Sequence, residues 1–81
     1  MKEQIESLEE AIESAKKDPQ ANRFAQYGKR ILELVKEQDY DEVRFTAKCF
    51  RDASCSFWRG PINKVMENYV NATVDLLNVL P

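Results

Sequence analysis

Three helix-breaking signals divide the chain into four stretches of similar length. They are Asp18-Pro19, Gln38-Asp39-Tyr40 and Arg59-Gly60-Pro61. Asp is favoured just before a helix, Pro at its first position and Gly just after its end. Between these signals apolar residues recur every three or four positions, which indicates helices. The sequence therefore predicts an all-α fold, in which residues 1–81 form a single helical domain. Four short helices, near 3–17, 19–37, 40–58 and 61–79, would pack as a compact antiparallel bundle.

The first two stretches leave their connection open. Ile5, Leu8, Ile12 and Ala15 form a narrow apolar stripe opposite a row of glutamates. One residue, Asp18, is a short connection between helices. Either the second helix begins later, near Ala21 or Asn22, or the first helix swings out as an arm that packs on a second protomer. Both arrangements favour a homodimer over a monomer.

Gly28 interrupts the apolar face of the second stretch, which comprises Phe24, Tyr27, Ile31, Leu34 and Val35. Glycine inside a helix costs about 1 kcal/mol relative to alanine. Two interpretations follow. Either the helix simply tolerates the glycine, or the backbone of another helix approaches closely at this point.

The last two stretches are more apolar than the first two. An Asp39/Glu42 pair resembles a capping box at the start of the third. An apolar seam then follows at steps of three and four: Tyr40, Val43, Ala47, Phe50, Ser54 and Phe57. Because Phe45, Cys49 and Trp58 fall off this seam, we expect the third helix to be central. The apolar face of the fourth stretch exceeds half its circumference, so we expect burial on two sides, one of them against another subunit.

Composition limits the chemistry that we expect. The chain has 12 basic and 14 acidic residues, a net charge of −2 and no histidine. The commonest general base and metal ligand is therefore absent. The chain also has no glycine-rich phosphate loop. We therefore expect no catalytic residue, no cofactor and no metal. No 18-residue apolar run or signal-peptide pattern is present, so we expect a cytoplasmic protein without membrane association.

One positive feature remains on the third helix. Arg44, Lys48 and Arg51 step by four and three to form a basic strip, and the helical wheel leads on to Trp58 and Arg59. Arg and Trp dominate the energetics of many protein interfaces. The strip could pair with the acidic first helix of its own chain, with Trp58 covering the core. It could instead bind an acidic protein partner or contact phosphates. These five residues are our candidate partner-binding site.

The leading functional hypothesis is a small non-catalytic protein-interaction module. It would be an adaptor, a regulatory subunit or an inhibitor of the kind that phages and mobile elements encode. The alternative is a nucleic-acid-associated regulator that uses the basic strip, although its basic bias is weak for such a role. A third hypothesis is a small-ligand pocket lined by aromatic residues and Met66, but aromatic residues at helical spacing more often form a core.

Overall fold

A computed structural model describes residues 1–58 and 62–81 of the chain. Its four α-helices are α1 (Lys2–Lys17), α2 (Ala25–Lys36), α3 (Tyr40–Phe57) and α4 (Lys64–Asn78). A short 3₁₀ turn, Asn22–Phe24, precedes α2. No strand occurs in these two described ranges, and the predicted all-α fold is confirmed. The caps expected at Gly60 and Pro61 lie outside the described residues.

The helices pack with neighbours antiparallel. α1 lies along α4: Asp18, at the end of α1, accepts a hydrogen bond from Asn63, the N-cap of α4. At the opposite end of this pair, Gln4 and Val79 line one cleft. α2 packs against both α1 and α3, whereas α3 and α4 approach each other only sparsely. The bundle is therefore tightly closed between α1 and α4 and partly open between α3 and α4.

Periodicity explains the core well. α1 buries Leu8, Ile12 and Ala15, and its glutamates face outward. α2 buries Ile31, Leu34 and Val35. α3 and α4 contribute seven apolar core residues: Val43, Ala47, Phe50, Met66, Tyr69, Ala72 and Leu76. Because the stripe of α1 is buried within its own chain, the structure shows a bundle helix and not an arm.

Two predicted helix starts are wrong. α2 does not begin at Pro19. The carboxylate of Asp18 accepts hydrogen bonds from the main-chain N–H groups of Gln20 (3.0 Å) and Ala21 (2.8 Å), which stabilises a turn before the 3₁₀ segment. The 3₁₀ segment begins at Asn22 and α2 at Ala25. Of the two arrangements that the short connection left open, the later start is therefore the one observed. α4 begins at Lys64 and not at 61, because Asn63 supplies the cap by accepting a bond of 2.8 Å from the Met66 N–H.

The predicted N-cap of α3 at Asp39 is confirmed, but the predicted central position of α3 is wrong. The capping box is only half formed, because the Asp39 N–H donates to the main-chain oxygen of Leu34 at 3.0 Å. Asp39 Oδ1 accepts from the Glu42 N–H at 3.4 Å. α3 packs mainly on α2 and lies at one edge of the bundle. Its off-seam residue Phe45 is accordingly 60% exposed. The middle of the seam faces the core as predicted, since Val43, Ala47, Phe50 and Ser54 are buried. Its two ends do not, because Tyr40 is half-buried and Phe57 is 38% exposed.

Gly28 is a point of close approach, and the nearest atoms there belong to side chains and not to the backbone of another helix. A Cβ atom at this position would stand 2.6 Å from Tyr69 Oη and 2.7 Å from Ile12 Cγ1. Both distances are shorter than van der Waals contact. The glycine therefore admits side chains from α4 and α1 against the surface of α2.

Candidate interaction groove

The partly open side of the bundle contains a groove of about 170 Å³ between α3 and α4. Its α3 wall is formed by Arg44, Ala47, Lys48, Phe50 and Arg51. The α4 wall is formed by Val70, Thr73, Val74 and Leu77. We call this feature the α3–α4 groove. It brings the predicted basic strip together with the surplus apolar residues of the last helix.

The floor and the α4 wall of the groove are apolar. Phe50 and Ala47 are buried beneath it. Val74 is 46% exposed at its edge, while Val70 and Leu77 are half-buried. The hydroxyl of Thr73 donates to the main-chain oxygen of Tyr69 at 2.9 Å, so its polar group is already satisfied within α4. An apolar side chain entering the groove would therefore meet few unsatisfied polar groups.

The α3 wall carries positive charge at solvent-exposed positions. Arg44 approaches Asp41 at 3.5 Å and donates to the main-chain oxygen of Pro81 at 2.7 Å. Arg51 Nε lies 3.9 Å from Asp52. Such exposed pairs contribute little to stability. These cations remain accessible, since the Arg44 and Arg51 side chains are 48% and 69% exposed.

The basic strip does not pair with the first helix. Across residues 1–58 and 62–81, the ion pairs of the strip are made within α3, and none reaches a glutamate of α1. The distance between the elements explains this, because α3 packs on α2 while α1 lies on the far side against α4. The intramolecular interpretation of the strip is therefore wrong.

The five predicted site residues do not all meet. Arg44, Lys48 and Arg51 line the groove together. Trp58 does not line it. This residue is half-buried near the end of α3, with its ring centroid 5.5 Å from that of Phe24 and 4.7 Å from that of Phe57. Trp58 thus covers the edge of the core, as one interpretation of the sequence proposed. Arg59 lies outside the described residues.

Three residues of the hypothesised ligand pocket, Phe50, Met66 and Tyr69, belong to the core, whereas Phe57 is 38% exposed. Phe50 and Tyr69 are both buried, with ring centroids 4.5 Å apart, and Met66 is fully buried. At the border of this cluster the guanidinium of Arg23 lies 4.0 Å from the ring centroid of Phe57, a cation–π contact. Of the two free thiols, Cys49 is half-buried and Cys55 is exposed.

Sequence reasoning missed the second wall of the groove. The signal was present: Val70, Thr73, Val74 and Leu77 repeat the i, i+3, i+4, i+7 spacing that Arg44, Ala47, Lys48 and Arg51 show on α3. The pattern does not show that α3 and α4 approach each other at few points, which leaves this surface uncovered.

Comparison with protein-family models, with curated proteins and with solved structures found no match for this chain. No helix in the described ranges is both long enough and apolar enough to cross a bilayer. The groove and its chemistry are therefore the basis for a functional argument.

Proposed function

We propose that this chain is a small protein-interaction module that binds a protein partner in the α3–α4 groove and acts without catalysis. One observation carries the proposal: exposed cations and uncovered apolar side chains line the same groove. Interfaces combine an apolar centre with a polar rim. A binding role as an adaptor, regulatory subunit or inhibitor requires such a surface and no reacting groups.

The size of the groove supports a protein partner over a small molecule. Small-molecule sites usually enclose about 300–1,000 Å³ and bury most of the ligand. The α3–α4 groove has only about 170 Å³. It suits one or two anchoring side chains of a larger partner.

Site-specific photo-crosslinking in the native cell tests this function. A benzoylphenylalanine placed at Val74, on the rim of the groove, should crosslink to a discrete protein partner. The same group at Lys36, which is exposed on α2 away from the groove, should not. Absence of a crosslink at Val74, or the same products from both positions, would refute the proposed function.

The nucleic-acid alternative makes a different prediction. A phosphate-binding strip should retain labelled duplex or single-stranded DNA or RNA at low salt, with affinity falling steeply as salt rises. The chain carries a net negative charge, whereas a nucleic-acid-binding domain usually shows a strong basic bias. We therefore expect no such binding. The proposed homodimer is a separate prediction, which light scattering tests directly.

A further inference from the structure

We infer that the segment bound in the α3–α4 groove is an amphipathic helix of about two turns, with acidic side chains along the flank that faces α3. This inference rests on the proposed function and specifies its partner. The spacing of the groove residues is the starting point. Each wall presents residues at i, i+3, i+4 and i+7, which covers two helical turns, or about 10 Å. A helix of the partner that binds between α3 and α4 would present apolar residues at the same spacing.

An extended strand does not fit this groove equally well. A strand that binds a protein usually pairs its main-chain N–H and C=O groups with a sheet edge. α3 and α4 use their main-chain groups within their own helices and present side chains to the groove. A strand would also direct alternate side chains away from the groove. A helix satisfies its own main-chain groups and so needs only side-chain contacts.

The charge of the groove is one-sided. Arg44, Lys48 and Arg51 line the α3 wall, where the long stems of these side chains cover apolar surface while the charged heads stay in water. The α4 wall carries no basic residue: Val70, Thr73, Val74 and Leu77 are uncharged. A bound helix therefore gains electrostatic attraction only on the flank beside α3. Acidic residues on that flank would accelerate binding and select the partner.

A second copy of this chain is a poor occupant. Pairing groove with groove would place two basic strips and no acidic wall in one interface, and uncompensated like charges oppose association. The acidic face of α1 has the complementary charge. However, its apolar residues Leu8, Ile12 and Ala15 are buried within their own chain, so α1 cannot fill the apolar floor. A homodimer would have to use another surface, and the occupant of the groove is a different protein.

Three synthetic helical peptides of about 15 residues provide the probe. All carry leucine at i, i+3, i+4 and i+7, and they differ only on one flank, which bears glutamate, glutamine or lysine. Binding to the full-length ¹⁵N-labelled protein is followed by amide chemical shifts. We expect the glutamate peptide to bind about tenfold more tightly than the glutamine peptide, as three rim ion pairs allow. The largest shifts should map to the two groove walls, and the lysine peptide should bind most weakly.

Charge reversal makes the test specific. Arg44→Glu, Lys48→Glu and Arg51→Glu together should reverse the preference, so that the lysine peptide binds more tightly than the glutamate peptide. The control combines Lys29→Glu, Arg30→Glu and Lys36→Glu, which change the net charge equally at exposed positions on α2. This control should keep the original order. Amide spectra of both variants establish that each is folded.

Several results would overturn the inference. Equal affinity for the three peptides, no reversal in the groove variant, or shifts that map away from the groove would each do so. Self-association through the groove or tighter binding of nucleic acid there would have the same consequence. A Val74 crosslink to a protein segment that is not an acidic amphipathic helix would refute the inference while leaving the proposed function in place. No crosslink at Val74 would remove the proposed function itself.

Discussion

The phenol of Tyr69 joins α4 to the beginning of α2 at Gly28. Its hydroxyl donates to the main-chain oxygen of Phe24 at 2.6 Å and accepts from the Gly28 N–H at 2.7 Å. Phe24 and Gly28 are four residues apart, the separation that a helical hydrogen bond joins. The hydroxyl therefore links two main-chain groups at the first turn of α2, in the buried centre of the bundle.

Gly28→Ala should destabilise the protein although alanine is the better helix former. The new Cβ would lie 2.6 Å from Tyr69 Oη and 2.7 Å from Ile12 Cγ1, and overpacking of this kind costs about 1–3 kcal/mol. The propensity gain offsets about 1 kcal/mol of it. Urea unfolding should thus show a net loss. The exposed neighbour substitution Gln26→Ala should be neutral or stabilising, and a more stable Gly28→Ala variant would contradict this packing.

Tyr69→Phe should lower the free energy of unfolding by about 1–3 kcal/mol, because two hydrogen bonds are lost and each contributes about 0.5–1.5 kcal/mol. Burial raises the pKa of the Tyr69 hydroxyl well above its ordinary value near 10. The unfolded chain loses the Tyr69 proton near pH 10, whereas the folded chain keeps it to a higher pH. The stability contributed by this group therefore falls as pH rises above about 10. The stability difference between wild type and Tyr69→Phe should therefore shrink at alkaline pH. A difference that grows above pH 10 would contradict the assignment.

Gln38→Gly should stabilise the protein. Gln38 follows α2 with φ = 60°, in the left-handed region. The N–H groups of Gln38 and Asp39 donate to the oxygens of Val35 and Leu34, each at 3.0 Å, a helix end that usually employs glycine. Removing the side chain should raise the free energy of unfolding by up to about 1 kcal/mol. Urea denaturation tests this, with Glu37→Gly, at φ = −81°, as the control that should be destabilising.

Asp18→Ala should destabilise the end of the bundle where α1, the 3₁₀ turn and α4 meet. Desolvation acts to raise the pKa of Asp18, but hydrogen bonds from the Ala21 N–H, the Asn63 side chain and the Gln20 N–H outweigh it, and the pKa lies below its usual value. A lowered folded-state pKa means that the stabilisation is present above the unfolded pKa of about 3.9 and is lost as pH falls through the folded value. The stability difference between wild type and variant should accordingly disappear in acid. A stability difference that persisted unchanged in acid would show that the charge of Asp18 is not its cause.

The sequence was sufficient to predict the helical class and most of the core. Apolar spacing alone identified the buried side of each helix, since Leu8, Ile31, Phe50 and Leu76 all lie on predicted faces. Helix starts were less predictable. Asp18 is a favourable cap for a helix at Pro19, yet its carboxylate also bonds Asn63 of α4. This long-range contact favours the turn that delays α2, and no local pattern reports it.

Only part of the candidate site could be predicted, because the rest depends on long-range packing. Periodicity placed Arg44, Lys48 and Arg51 on one strip, and composition indicated too much apolar surface on α4. Whether these surfaces meet depends on how closely α3 and α4 approach each other. α3 packs mainly on α2 and α4 mainly on α1, and few residues of α3 and α4 come close. Trp58 was assigned to the site by its position on the helical wheel, but its contacts with Phe24 and Phe57 hold it against the core.

Two residues of α4, two positions apart, should separate binding from stability. Val74 borders the groove and is 46% exposed, whereas Leu76 is fully buried. Val74→Asn should change the free energy of unfolding by less than about 0.5 kcal/mol, because it alters surface only. Leu76→Ala should cost about 2–5 kcal/mol through lost burial and a cavity. In peptide titrations Val74→Asn should nevertheless weaken binding of the glutamate-flanked peptide, since it places an amide on the apolar wall. Unchanged peptide affinity in a folded Val74→Asn variant would show that the α4 wall does not contact the bound helix.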